Sequence, residues 1–112
     1  MADLSPTVSS ISSALIGEAA KIGGNLWIDI EKASRFYVKA YAQALIDTAR
    51  AVAAGEMTSG EGVNSAKAAS FFFYMMIAQV TQQTLVAVQR FFDAVINALK
   101  VSINGALPFP IL

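Results

Sequence analysis

From Val8 onward, apolar residues recur at the 3.6-residue period of a helix: Val8, Ile11, Leu15, Ala19, Ile22, Leu26, Ile30, Ala33, Tyr37, Ala40, Ala44 and Ala51. An opposing stripe is polar: Glu18, Lys21, Asn25, Asp29, Lys32, Arg35, Lys39, Gln43, Asp47 and Arg50. Both stripes keep phase through Gly23-Gly24, which a loop would have no reason to preserve. The pattern therefore predicts one long helix over 6–54, bent at the glycine pair, since such pairs kink helices. Ser5 is its expected N-cap, with Pro6 at the first helical position, and Gly55 its left-handed C-cap. The alternative is a three-helix bundle broken at Gly23-Gly24, where each glycine costs about 1 kcal/mol in a helix relative to alanine.

Thr58-Ser59-Gly60-Glu61 reads as a capping box, with the Thr58 hydroxyl on the N3 amide and Glu61 reaching back to the N-cap amide. A second helix follows over 59–104. Its expected seam comprises Phe73, Ile77, Val80, Ala87, Phe91, Val95 and Ala98, widened by a row from Leu85 to Ile103. Asn104-Gly105 stops it. Residues 105–112 form an extended apolar tail, because Pro108 and Pro110 remove donors and bias their neighbours away from helix. The expected fold is all-α, a single helical domain over 1–112, built as a long hairpin with arms of roughly 70 Å at 1.5 Å per residue. Two such helices bury one seam only, so self-association into a homo-oligomer is expected.

The second arm carries an uncharged run of 22 residues, Ala68 to Gln89. At its head stand Phe71, Phe72, Phe73, Tyr74, Met75, Met76 and Ile77, too many consecutive apolar side chains to share one helix face. Extending the downstream polar stripe (Gln79, Gln82, Gln83) backwards meets Met75, Met76 and Phe72. These residues, with Leu107, Phe109, Ile111 and Leu112 of the tail, are the candidate oligomer or apolar-surface contacts. Should residues 6–22 fold back instead, Phe72 and Met76 become ordinary core. The apolar tail has two readings of equal weight: an arm reaching into a neighbouring subunit, or packing on its own hairpin.

The run is long enough to suggest a membrane span, but its apolar part, Ala66 to Ala78, is about 13 residues, nearer a buried or interfacial segment. Gln79, Gln82 and Gln83 would be costly in lipid without partners. The N-terminus lacks the basic start and continuous apolar core of a secretory signal. That leaves a cytoplasmic, membrane-associated or particle-embedded location as the expectation.

Composition sharpens this picture. Apolar residues make up 55% and charged residues 14% of the chain, with 8 basic and 8 acidic residues balancing to a net charge of 0. A nucleic-acid partner is not expected, because there is no Lys/Arg cluster to neutralise phosphates. The absence of cysteine and histidine removes thiolate and imidazole ligands and the commonest general base. Acidic pairs such as Asp29 with Glu31 point different ways on a helix, and Glu56 and Glu61 lie at the turn. Neither glycine cluster is followed by the Lys-Ser/Thr of a phosphate loop. No catalytic, metal or cofactor residues are expected, nor a small-molecule substrate, and the chain is not expected to be an enzyme.

In character the chain resembles the granule-coating phasins, which share small size, a long amphipathic helix and apolar surface. The small secreted hairpins with a Trp-x-Gly turn share length and form, but here Trp27 is followed by Ile28 and Asp29, far from the turn. The expected function is a non-enzymatic structural protein, a self-assembling subunit of a shell, filament or virion-type assembly. The alternatives are an amphipathic protein on a membrane or lipidic granule surface, or a membrane-permeabilising one.

Overall fold

The computed structural model describes residues 7–112; the expected Ser5 cap and Pro6 lie outside them. The chain is all-helical, with four helices among the described residues: α1 Val8–Ile22, α2 Asn25–Ala53, α3 Ser59–Thr81 and α4 Leu85–Ala106. Each expected arm is thus two helices. α1 and α3 each pack against both α2 and α4, which closes a ring of four around one core. Folding back shortens the molecule. Its longest dimension is 41 Å rather than the length of a 70 Å arm.

The first break falls at Gly23-Gly24, as in the three-helix alternative. Gly23 has φ 60, ψ −145 and Gly24 φ 92, ψ −179. Side chains other than hydrogen are strained there, so the pair reverses the chain instead of kinking it. α1 begins with a capping box in which Thr7 and Ser10 satisfy each other's backbone amides.

The second break, at Gln82–Thr84, has no glycine or proline to announce it. Gln82 adopts the left-handed conformation at φ 59, ψ 26, and the Thr84 hydroxyl accepts from the Ala87 amide at 3.2 Å to start α4. An L-residue in that conformation costs about 1–2 kcal/mol. Aromatic burial offsets the cost. Folding α4 back sets the rings of Phe73 and Phe92 4.7 Å apart edge to face, with Tyr74 stacked on Phe92 at 6.1 Å.

The turn between α2 and α3 follows the sequence closely. Gly55 sits at φ 77; its amide donates to Val52 O and that of Glu56 to Ala51 O, the double bond of a Schellman cap. Thr58 and Glu61 form the capping box, at 3.1 and 2.8 Å.

The core lies where the four helices meet: Ile11, Leu15, Ile30, Leu45, Ile77 and Val88 are sealed from solvent. Trp27 of α2 stacks on Phe91 of α4 across it at 5.9 Å. Ser34 is buried there, its hydroxyl donating to Ile30 O at 2.8 Å. Val80 and Ala98 of the expected seam are exposed, each at the far end of its row in α3 and α4.

Candidate functional site

α2 carries more apolar surface than the core uses. Its buried row is Val38, Tyr41, Ala42, Leu45, Ile46 and Ala49. The row read from the sequence, Tyr37, Ala40 and Ala44, lies beside this one and remains half-buried or exposed. These three residues face Ser65, Ala68, Ala69 and Phe72 of α3 across a groove of about 450 Å³. Alanines on both helices keep the groove open. Its floor is Tyr41 stacked on Phe73, with centroids 5.2 Å apart and planes 6° from parallel.

Phe72 stands on the α3 wall, 59% exposed. Phe71 is 47% exposed, and Met75 is also exposed. On the α2 side, Phe36 is 73% exposed and meets Tyr37 edge-on at 5.0 Å. No charged residue lines the groove. The face offers apolar contact and ring edges, and no group suited to moving protons or holding a metal ion. No helix of the described residues is long and apolar enough to cross a membrane.

The seven candidates of the aromatic run divide between two environments. Phe73, Tyr74 and Ile77 are core; Phe71, Phe72 and Met75 are exposed, and Met76 is half-buried. Of the tail candidates, Leu107 and Ile111 are buried while Phe109 and Leu112 are half-buried, all packed on the bundle's own core. Ile111 is 1% exposed and seats over Gly62, where an added Cβ would lie 3.4 Å from Ile111 Cγ2 and 2.5 Å from Val52 Cγ2. Two hydrogen bonds, one donated by Asn104 and one accepted by it, fasten Leu112.

Phe36 escaped the sequence reading, although its position was recoverable. It falls in phase with Lys32 and Gln43, so the polar stripe already placed it on the solvent side. Comparison with protein-family models, with curated proteins and with solved structures gives no match.

Proposed function

We propose that this chain is a non-enzymatic structural subunit that associates with copies of itself through the α2/α3 groove. The observation that carries this reading is a projection and a recess on one surface: Phe72 stands beside an alanine-lined groove. A two-fold interface must complement itself. Phe72 of one copy fits the groove of its mate, and the reverse contact follows by symmetry.

Charge supports the same partner. Between Lys67 and Arg90 the chain has no ionisable acid or base beyond Tyr74. Two copies can therefore close α3 on α3 without burying unpaired charge. A lipid surface would draw on several Lys and Arg beside the apolar patch, and α3 supplies only Lys67, one turn before Phe71. The tail is occupied by its own bundle, so the contact rests on Phe71, Phe72 and Met75 with Phe36 at the margin.

Sedimentation velocity over a range of concentrations tests this. Phe72→Gln is expected to shift the protein to monomer with its helical circular dichroism intact. Association unchanged in the variant, or pelleting with uncharged phosphatidylcholine vesicles in place of self-association, overturns the proposal.

A further inference from the structure

Among the described residues, Gln82 is the only one other than glycine with a positive φ. It ends α3 without the help that the other helix ends receive. Gly23, Ala54 and Leu107 each donate a backbone hydrogen bond into the last turn of α1, α2 or α4, whereas Gln82 donates none into α3. The hinge Gln82-Gln83-Thr84 holds no glycine or proline, and glutamine is a good helix former. A straight path through the hinge would relieve the left-handed strain at Gln82 and restore the missing bond.

A straight helix gives up the packing of α4 on α1 and α3. A second copy can return it. Phe73 and Tyr74 lie ten and nine residues before Gln83; Phe92 and Asp93 lie nine and ten after it. The contacts that hold α4 on α3 are ring on ring for Phe73–Phe92 and Tyr74–Phe92, and hydroxyl to carboxylate for Tyr74–Asp93. They are therefore symmetric about Gln83. Two straight copies crossing antiparallel there, on a two-fold axis, set Phe73 of one against Phe92 of the other in the register of the closed bundle. The tail travels with α4, so Ile111 seats over Gly62 of the other copy as it does over its own.

Exposed apolar side chains point to the same partner. Val80 and Val86 lie three residues either side of Gln83 and are 57% and 58% exposed; in that crossing they fall opposite each other. Ile22 and Ile28 are exposed at the same end of the bundle, where the α1–α2 and α3–α4 turns both lie. In a swapped pair the two bundles meet at these ends, so side chains that face water in one copy face those of its mate.

We propose that α3 and α4 straighten through Gln82 into one helix of roughly 70 Å, and that two copies then exchange α4 to form a domain-swapped dimer. α2 and α3 stay together in each half, so the groove between them survives and the swap does not rest on it. α4 leaves only by opening the core, so exchange is slow. The purified chain stays closed, and the swapped form is reached by refolding at high concentration.

The test uses the full chain carrying Phe72→Gln, which removes the groove contact, refolded from urea at millimolar and at micromolar concentration and then diluted. Light scattering is expected to find a two-chain species that persists on dilution after millimolar refolding, and one chain after micromolar refolding. Dimers refolded from mixed ¹³C-labelled and unlabelled chains are expected to show NOEs between Phe73 of one chain and Phe92 of the other. Gln82→Gly favours the closed turn and is expected to lower the dimerisation constant at least tenfold, because both hinges contribute. Gln82→Ala with Thr84→Ala keeps the strain and removes the α4 cap, and is expected to raise it severalfold. Helical circular dichroism shows that both variants fold. The proposal is overturned by one chain at both concentrations, by a dimer that dissociates at once on dilution, by absence of interchain NOEs, or by a Gln82→Gly dimer as stable as its parent. A dimer seen with Phe72 in place but lost in Phe72→Gln belongs to the groove and also tells against the swap.

Discussion

Asn104 and Leu112 hold each other by a pair of hydrogen bonds: Asn104 Nδ2 donates to the Leu112 carbonyl at 3.1 Å, and the Leu112 amide donates to Asn104 Oδ1 at 3.0 Å. One side chain thereby supplies both partners that the extended backbone would otherwise seek in a neighbouring strand. It fixes the tail so that Ile111 drops onto Gly62. Asn104→Ala is expected to cost about 1–2 kcal/mol, from two bonds at about 1 kcal/mol each. Hydrogen exchange at the Leu112 amide should accelerate while amides in α2 keep their protection. Unchanged protection at Leu112 would show that Ile111 alone seats the tail.

Tyr41 carries a structural cost. A buried hydroxyl without a partner is destabilising by about 1–3 kcal/mol, so Tyr41→Phe is expected to raise stability by about 1 kcal/mol in urea titrations. A loss of stability would mean that the hydroxyl is paired in solution.

Tyr41 and Tyr74 also set an alkaline limit. Burial raises the pKa of both above the ordinary value of 10.0, with Asp93 adding to each. The folded protein keeps these protons where the unfolded chain has lost them. Their contribution is complete below pH 10 and declines above it, by up to about 1.4 kcal/mol per pH unit for each tyrosine. Urea midpoints measured between pH 9 and 11 should fall, and fall less steeply in Tyr41→Phe.

Glu61 acts at the other end of the pH scale. The Thr58 backbone N–H, and then its hydroxyl contact, hold the Glu61 carboxyl below its ordinary 4.5. The capping contribution is present above that value and is lost as pH falls below it. Glu61→Gln can still accept from the Thr58 amide, so it should flatten the acid arm of a stability–pH curve and leave the helix start in place. An unchanged acid arm in the variant would assign it to other carboxylates.

Gln82 holds a conformation suited to glycine. Gln82→Gly is expected to stabilise the bundle by about 0.5–1 kcal/mol, the relief of the left-handed strain less the added freedom of the unfolded chain. A destabilised variant would point to an alternative in which α3 and α4 join into one helix.

These residues also mark how far the fold was legible in the sequence. The Thr58–Glu61 box and the Gly55 cap were readable because their partners lie within five residues. Gly23-Gly24 misled through its apolar phase: Tyr37, Ala40 and Ala44 continue the α1 stripe, yet in α2 they border the groove, and Val38, Tyr41 and Leu45 take the core. Both rows are apolar, so periodicity could not choose between them. The break at Gln82 is set by the pairing of Phe73 with Phe92, a contact across 19 residues that no local rule encodes. In the site, the exposure of Phe72 followed from extending the polar stripe, while the recess beside it appears only once α2 and α3 are packed. The tail read as apolar and extended, but its seat at Gly62 is distant in sequence.

Self-association through the groove is tested most directly by the mass of the purified wild-type chain, measured by light scattering after size exclusion without detergent. A species of two or more 11.8 kDa chains, reverting to one chain in Phe72→Gln, is the expected result. A monomer at every concentration up to the millimolar range would contradict it, leaving Phe36, Phe71 and Phe72 as exposed rings on the surface of a lone bundle.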